Sequence, residues 1–155
     1  MPQVPIGLMR RPEGTGWYSA PMKTRYMLTL EDCRRISAAA EAEAQKNNWN
    51  VCIAIVDDGG HLLHLIRMDG ATPANSHIAV EKSRTAAETR RSTAMWEDRV
   101  KGGRMSMLKM PGVTPVQGGL PIVVDGACIG GVGVSGVQSH EDEQIAKAGI
   151  DALGT

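Results

Sequence analysis

The order of patterned segments predicts an α+β domain, one antiparallel sheet flanked by helices. Two observations carry this. Strand-like runs are twice folded back by short turns, Asp57-Asp58-Gly59-Gly60 and Asp125-Gly126. Four further segments read as helices, giving the order helix, hairpin, helix, helix, hairpin, helix. A length of 155 residues suits a single domain with a real core.

Residues 1–27 hold four prolines and three glycines without periodicity and read as an extended N-terminal arm. Ile6, Leu8, Met9, Trp17 and Tyr18 give that arm apolar groups for docking on a neighbouring subunit. Residues 28–155 form the domain. Thr29-Leu30-Glu31-Asp32 has the form of a capping box, with Asp in place of the usual Glu. Leu30, Cys33, Ile36, Ala40 and Ala44 then repeat at helical spacing, and Asn47-Asn48 ends the helix. Val51 to Val56 is a continuous apolar run, as expected for a strand covered on both faces. The return strand His61–Arg67 puts Leu62, His64 and Ile66 on one face and His61, Leu63, Leu65 and Arg67 on the other.

Residues 74–91 form the next helix, and about Thr93 to Lys101 the one after, stopped by Gly102-Gly103. Residues 104–119 read as a loop with three methionines and two prolines. Leu120–Val124 and Ala127–Val137 form the second hairpin. Its return strand carries Gly130, Gly131, Gly133 and Gly136, so a helix or a ligand must approach closely. Ser139-His140-Glu141-Asp142 caps the last helix, whose inner face is Ile145, Ala148, Gly149, Ala152 and Leu153.

Composition narrows the function. Formal charge is zero, and no basic helix or aromatic platform suggests nucleic acid. Residues 81–109 hold eight Lys/Arg against four Asp/Glu, a local excess suited to an anionic ligand. No run is long and apolar enough for a membrane span, and no signal-peptide pattern is present. Cys33, Cys52 and Cys128 lie in apolar runs without metal spacing, and read as small buried hydrophobes of a reducing, cytoplasmic compartment.

The unusual residue is Lys82. At helical pitch Ile78, Ala79, Lys82, Thr85, Ala86 and Thr89 share an arc, while His77, Glu81, Arg84, Glu88 and Arg91 share a charged one. A buried ammonium requires an anion. That anion is either a protein carboxylate or a ligand; otherwise the stem lies on the core and the charge reaches water. Arg67 and Asp69 either pair with each other or act on a ligand carboxylate. Gly118-Gly119 offers backbone N–H groups to an anion. His77 is a candidate acid, base or iron ligand. His61 and His64 face opposite sides of their strand and cannot share a metal ion.

Three blocks of residues resemble a known family. They are Val56–Leu62 with Arg67–Ala71 and Lys82–Ala86; Gly118–Ile122 with Ile129–Gly136; and Asp142–Gly149. In order and spacing they are similar to the GlcG/HbpS family, which includes the C-terminal domain of PduO-type proteins, over residues 28–153. The resemblance implies a profilin-like fold of about five strands, the fifth near Thr114–Gln117 or in the arm. It also implies homo-oligomers, tetramers or octamers, and in some members haem binding. Met105, Met107 and Met110 are then candidate thioethers.

Two readings follow. The first is an oligomeric binding protein holding haem or a small organic acid near Lys82 and Arg67, with Asp69, Gly118 and Gly119 assisting. The second is a catabolic isomerase, tautomerase or lyase acting on an oxo-acid, with Lys82 as base or Schiff-base residue and His77 assisting. A regulatory subunit with a vestigial pocket is a third class.

Overall fold

The computed structural model describes residues 24–154; the docking residues expected in the arm, Ile6 to Tyr18, lie outside them. The elements follow the expected order. They are α1 (Leu30–Lys46), β1 (Cys52–Asp57), β2 (Leu62–Arg67), α2 (Pro73–Thr89), α3 (Thr93–Lys101), a 3₁₀ turn (Met105–Lys109), β3 (Gly119–Val124), β4 (Ala127–Ser135) and α4 (Ser139–Asp151).

The local signals explain the element ends. Thr29 Oγ1 accepts from Asp32 N at 3.2 Å, and Asp32 Oδ2 accepts from Thr29 N at 2.9 Å, so aspartate completes the capping box. Asp125 (φ 49°) and Gly126 (φ 77°) both adopt the left-handed conformation that a two-residue hairpin turn demands. The last helix differs by one position. Its N-cap is Gln138, whose N–H donates to Glu141 Oε2 at 3.0 Å, and Ser139 is already helical.

The sheet has four antiparallel strands in the order β2-β1-β4-β3. The expected fifth strand is absent among the described residues, and 114–117 form no strand. There Thr114 N donates to Thr85 Oγ1 at 2.9 Å and Gln117 N to Glu97 Oε2 at 2.5 Å, so side chains of α2 and α3 take N–H groups that a ladder would need. The outer strands differ. β3 carries Pro121, which has no N–H to offer, whereas β2 has neither Pro nor Lys.

Alternation along β1 and β4 divides the interior. Ile53, Ile55, Val132 and Val134 face α1 and α4, where Ile36, Ala40 and Ile145 complete the larger core. Cys52 and Ala54 face α2 and meet Ala79. The glycines of β4 lie under α2. A Cβ at Gly131 would press on the Ser83 carbonyl oxygen, and one at Gly133 on the Ala79 carbonyl oxygen. The close approach inferred from sequence is therefore made by a helix. Ile78, expected on the buried arc, is 38% exposed, because Ala79, Ser83 and Ala87 form the contact line instead.

Gly133→Ala is expected to lower stability by about 1–3 kcal/mol, the usual range for overpacking. A shifted urea midpoint at unchanged slope is the signature; a wild-type midpoint would mean that α2 can lift off β4 freely.

Candidate functional site

The ammonium of Lys82 is where the sequence arc puts it, and its anion is internal. The residue is 2% exposed. Nζ donates to Asp142 Oδ2 at 2.8 Å and to the Val134 carbonyl oxygen at 2.9 Å. Asp142 Oδ1 accepts from Val137 N at 3.2 Å. Burial pushes the Asp142 carboxyl above its ordinary range, and Lys82 with the Val137 N–H offsets only part of that rise. Gly118 (φ +122°) leaves room for the pair, since a Cβ there would lie 2.8 Å from both Lys82 Nζ and Asp142 Cβ. Of the alternatives that the sequence left open for this ammonium, the fold supplies the protein carboxylate.

The remaining expected site residues do not gather around Lys82. Gly119 N donates to Thr93 Oγ1 at 2.8 Å, and Gly118 O accepts from Val134 N at 2.9 Å, so this glycine pair is engaged within the fold. Arg67 ends β2, which two other strands separate from β3 in the sheet. It lies opposite Cys52, hence on the α2 side, and its charge counters the upward push of burial on the Cys52 thiol. Asp69 is exposed beyond the strand, and among the described residues no ion pair joins it to Arg67. His77 is exposed on α2.

What the structure does bring together lies along β2. Leu65 is opposite Ala54, on the α2 side. A bulge opposite Ile55–Val56 pairs Leu62 with Val56, which turns Leu62 to that same side, against the simple alternation. Leu62, Leu63 and Leu65 are 37–46% exposed. The adjoining flank of α2 contributes Val80, packed against the Cys52–Ala54 cluster, and Arg84, whose Nε donates to the Gly60 carbonyl oxygen at 3.0 Å. His77 precedes Arg84 by seven residues on that flank. The result is an apolar shelf with Arg67 at one end and Arg84 at the other.

The Arg84 end opens into a cavity of about 290 Å³ lined by Gly60, His61, Glu81, Arg84, Glu88 and Gly112. His61 Nδ1 lies 3.2 Å from both oxygens of Asp57, and Asp57 Oδ1 also accepts from Gly59 N and His61 N at 2.9 Å each. Burial raises the Asp57 carboxyl, but these donors more than offset it and hold it below the usual carboxylate range. A wider groove of about 770 Å³ runs along the opposite sheet edge, over Leu120, Pro121, Ala148 and Ile150, and is lined by none of Arg67, Asp69, His77, Lys82, Gly118 and Gly119. Among the described residues no cluster of three His, Cys, Asp or Glu could hold a metal ion, and no helix is long and apolar enough to cross a membrane.

Two participants escaped the sequence reading. Asp142 sits three residues before Ile145 and seven before Gly149, an acid on the inner arc of its helix, the same signal that marked Lys82. His61 follows Asp57 by four residues around a Gly-Gly turn, a spacing that lets the carboxylate reach the ring.

These features define the protein as an α+β domain of the HbpS-like class. A family model described as haem degrading protein HbpS-like matches residues 28–151, and the chain belongs to that family. Protein GlcG of Escherichia coli (strain K12) is 51% identical over 114 residues, covering 74% of this chain and 85% of GlcG. The crystal structure of HbpS superposes with a TM-score of 0.80 at 32% identity, covering 86% of this chain and 95% of that one. A crystal structure of a PduOC:heme complex superposes at 0.75 with 30% identity, covering 82% and 95%.

Lys82→Met is expected to cost about 3–5 kcal/mol, because Asp142 is left buried without its cation. Adding Asp142→Leu should recover most of that loss in urea denaturation. If the double variant is as weak as the single one, the pair is not what sets the cost. A second expectation concerns acid. Asp57 has a lowered folded pKa, so its contribution is present above the unfolded value and lost as pH falls through the folded one. Thermal melts of Asp57→Asn should therefore depend less on pH between about 5 and 2 than those of wild type; parallel curves would contradict this.

Proposed function

We propose that this protein binds haem on the β2–α2 shelf. The observation that carries the reading is the row Leu62, Leu63, Leu65, Arg67: exposed apolar surface ending in a guanidinium group, matching an apolar ring with an anionic propionate, while Arg84 beyond Leu62 is paired with Glu81 at 2.9 Å. Its support from outside the chain is the superposition on a haem complex at 30% identity. The donor set fits haem in kind, since His61 and His77 are imidazoles beside the shelf. When bound, haem would supply redox-active iron. The chain's residues hold its faces and carboxylates and keep water from one side.

Of the residues expected from sequence, Arg67 and His77 belong to this shelf. Lys82, Gly118 and Gly119 support the fold on the opposite flank of α2, and Asp69 lies past the end of β2. The oxo-acid isomerase, tautomerase or lyase reading needs a free amine at position 82, and the Asp142 contact occupies that amine. A homo-oligomer, tetramer or octamer, is part of the proposal. The β2 edge offers unpaired backbone groups in the plane of the sheet while the shelf lies above that plane, so pairing and ligand binding do not compete for the same atoms. Native mass spectrometry would give the copy number.

Titration with hemin is the test. Wild type should develop a Soret band at micromolar hemin. Arg67→Ala and Leu65→Asp should each weaken binding by about tenfold, the worth of one charge-assisted contact or of one charge set on an apolar wall. Lys82→Met with Asp142→Leu should bind as wild type does. No spectral change in the wild-type protein, or full affinity in both shelf variants, would refute the assignment.

A further inference from the structure

The groove beside β3 plays no part in the haem reading. Its floor is apolar: Leu120 and Pro121 of β3, Ala148 and Ile150 of α4. Its rim carries Glu43, Glu143 and Asp151 against one base, Lys147. An apolar floor inside a polar rim is the anatomy of a surface that takes a peptide segment. The rim acids are not alike. Lys147 Nζ donates to Asp151 Oδ2, so those two charges answer each other. Glu43 Oε1 accepts from Gln144 Nε2 at 2.6 Å, and its other oxygen lies 3.7 Å from the exposed Lys46 ammonium. Glu143 is half-buried and accepts from the Ser92 hydroxyl at 3.3 Å. Among the described residues no ion pair reaches it.

The chain enters the domain near the other end of this groove. Tyr26, Met27 and Leu28 line a small hollow with Val124 and Leu153. Leu153 follows Ile150 and Asp151 of the groove by three and two residues. The Asp125 carboxylate at the β3–β4 turn accepts from the Tyr26 hydroxyl and holds it above the ordinary tyrosine range. Arg25 pairs with Asp58 of the other turn. Residues 1–23 precede this root, and lie outside both the described residues and the stretch that the family model matches.

The composition of that arm complements the groove. Ile6, Leu8, Met9, Trp17 and Tyr18 are apolar, and Arg10, Arg11 and Lys23 stand against Glu13 alone. Leu8-Met9 and Arg10-Arg11 are adjacent, an apolar pair followed by a cationic one. Reach is not limiting. From His140 to Asp151 the groove follows α4 for about 17 Å. The thirteen residues from Arg11 to Thr24 can span up to about 45 Å. A tethered segment also meets its own groove at an effective concentration on the order of millimolar, which favours the same chain over a second copy.

We propose that the N-terminal arm docks in the groove between β3 and α4 of its own chain. Ile6, Leu8 and Met9 cover the apolar floor, and Arg10-Arg11 meets the Glu143 carboxylate. The arm then serves its own domain instead of the neighbouring subunit expected from sequence. It covers the β3 border, away from the β2–α2 shelf, so the proposal stands apart from the haem reading.

Photo-crosslinking in the full chain is the test, with p-benzoylphenylalanine at position 8 and equal parts of heavy-isotope-labelled and unlabelled protein. Mass spectrometry should find links within one chain, from position 8 to residues 119–121 or 139–151. Glu143→Lys should lower their yield by about twofold to fivefold, the worth of one partly exposed ion pair. Arg10→Glu with Arg11→Glu should lower it equally while leaving residues 24–154 unchanged. All three changes together should restore it. Links to other surfaces alone, links between chains, or no links overturn the proposal. Groove links whose yield ignores both charge changes, or is not restored by combining them, overturn the pairing of Arg10-Arg11 with Glu143.

Discussion

The contact between Lys82 and Asp142 organises one side of the molecule. Three elements meet at one nitrogen: α2 supplies the ammonium, α4 the carboxylate, and β4 the carbonyl oxygen of Val134. β3 enters beside them at Gly118, where the absence of a side chain is a condition of the pair's existence. A buried ion pair of this kind seldom adds much net stability over a well-packed apolar replacement. Its value is in what it forbids. Slide α2 by a turn, or rotate α4, and two charges stand in the core without partners. The helices on opposite faces of the sheet are thereby registered against each other through a single pair of side chains.

With α2 fixed in that way, its other flank is fixed too. Ala79, Ser83 and Ala87 lie against the β4 glycines, so the helix axis runs close to the sheet and Val80 and Arg84 are presented toward β2. The shelf is a product of that closeness. A helix standing further off would cover the β2 leucines with longer side chains, or leave a gap beneath Val80 that water would fill. Structural and candidate functional surfaces thus sit on the two flanks of one helix, and the lysine that marks the structural flank is the residue that drew attention first.

Much of this was legible in the chain. The hairpins, the four helices, the Thr29 cap and the glycine-driven approach of α2 each follow from local chemistry that survives in the folded state. The burial of Lys82 was legible as well, from its arc. What sequence spacing could not resolve was the identity of the anion, because Asp142 is sixty residues away and only the topology joins them. The face of Leu62 was misassigned for a related reason: alternation predicts sides only while the ladder is regular, and the bulge opposite Ile55–Val56 is invisible in a run of leucines. At Thr114–Gln117, one of the two places expected for a fifth strand, no strand forms because side chains of α2 and α3 capture the Thr114 and Gln117 amides.

The single imino acid in β3 has a reach beyond its own strand. Pro121 removes one donor from one border of the sheet, while the other border, β2, has no proline and carries a bulge at Leu63. Of the two, β2 keeps the longer regular row of donors, from His64 to Arg67. Two copies meeting border to border through a two-fold axis would build a continuous eight-stranded layer whose new rims are both proline-bearing. In such a pair a proline would stand on each outer strand, one of the devices that discourage further edge-to-edge growth.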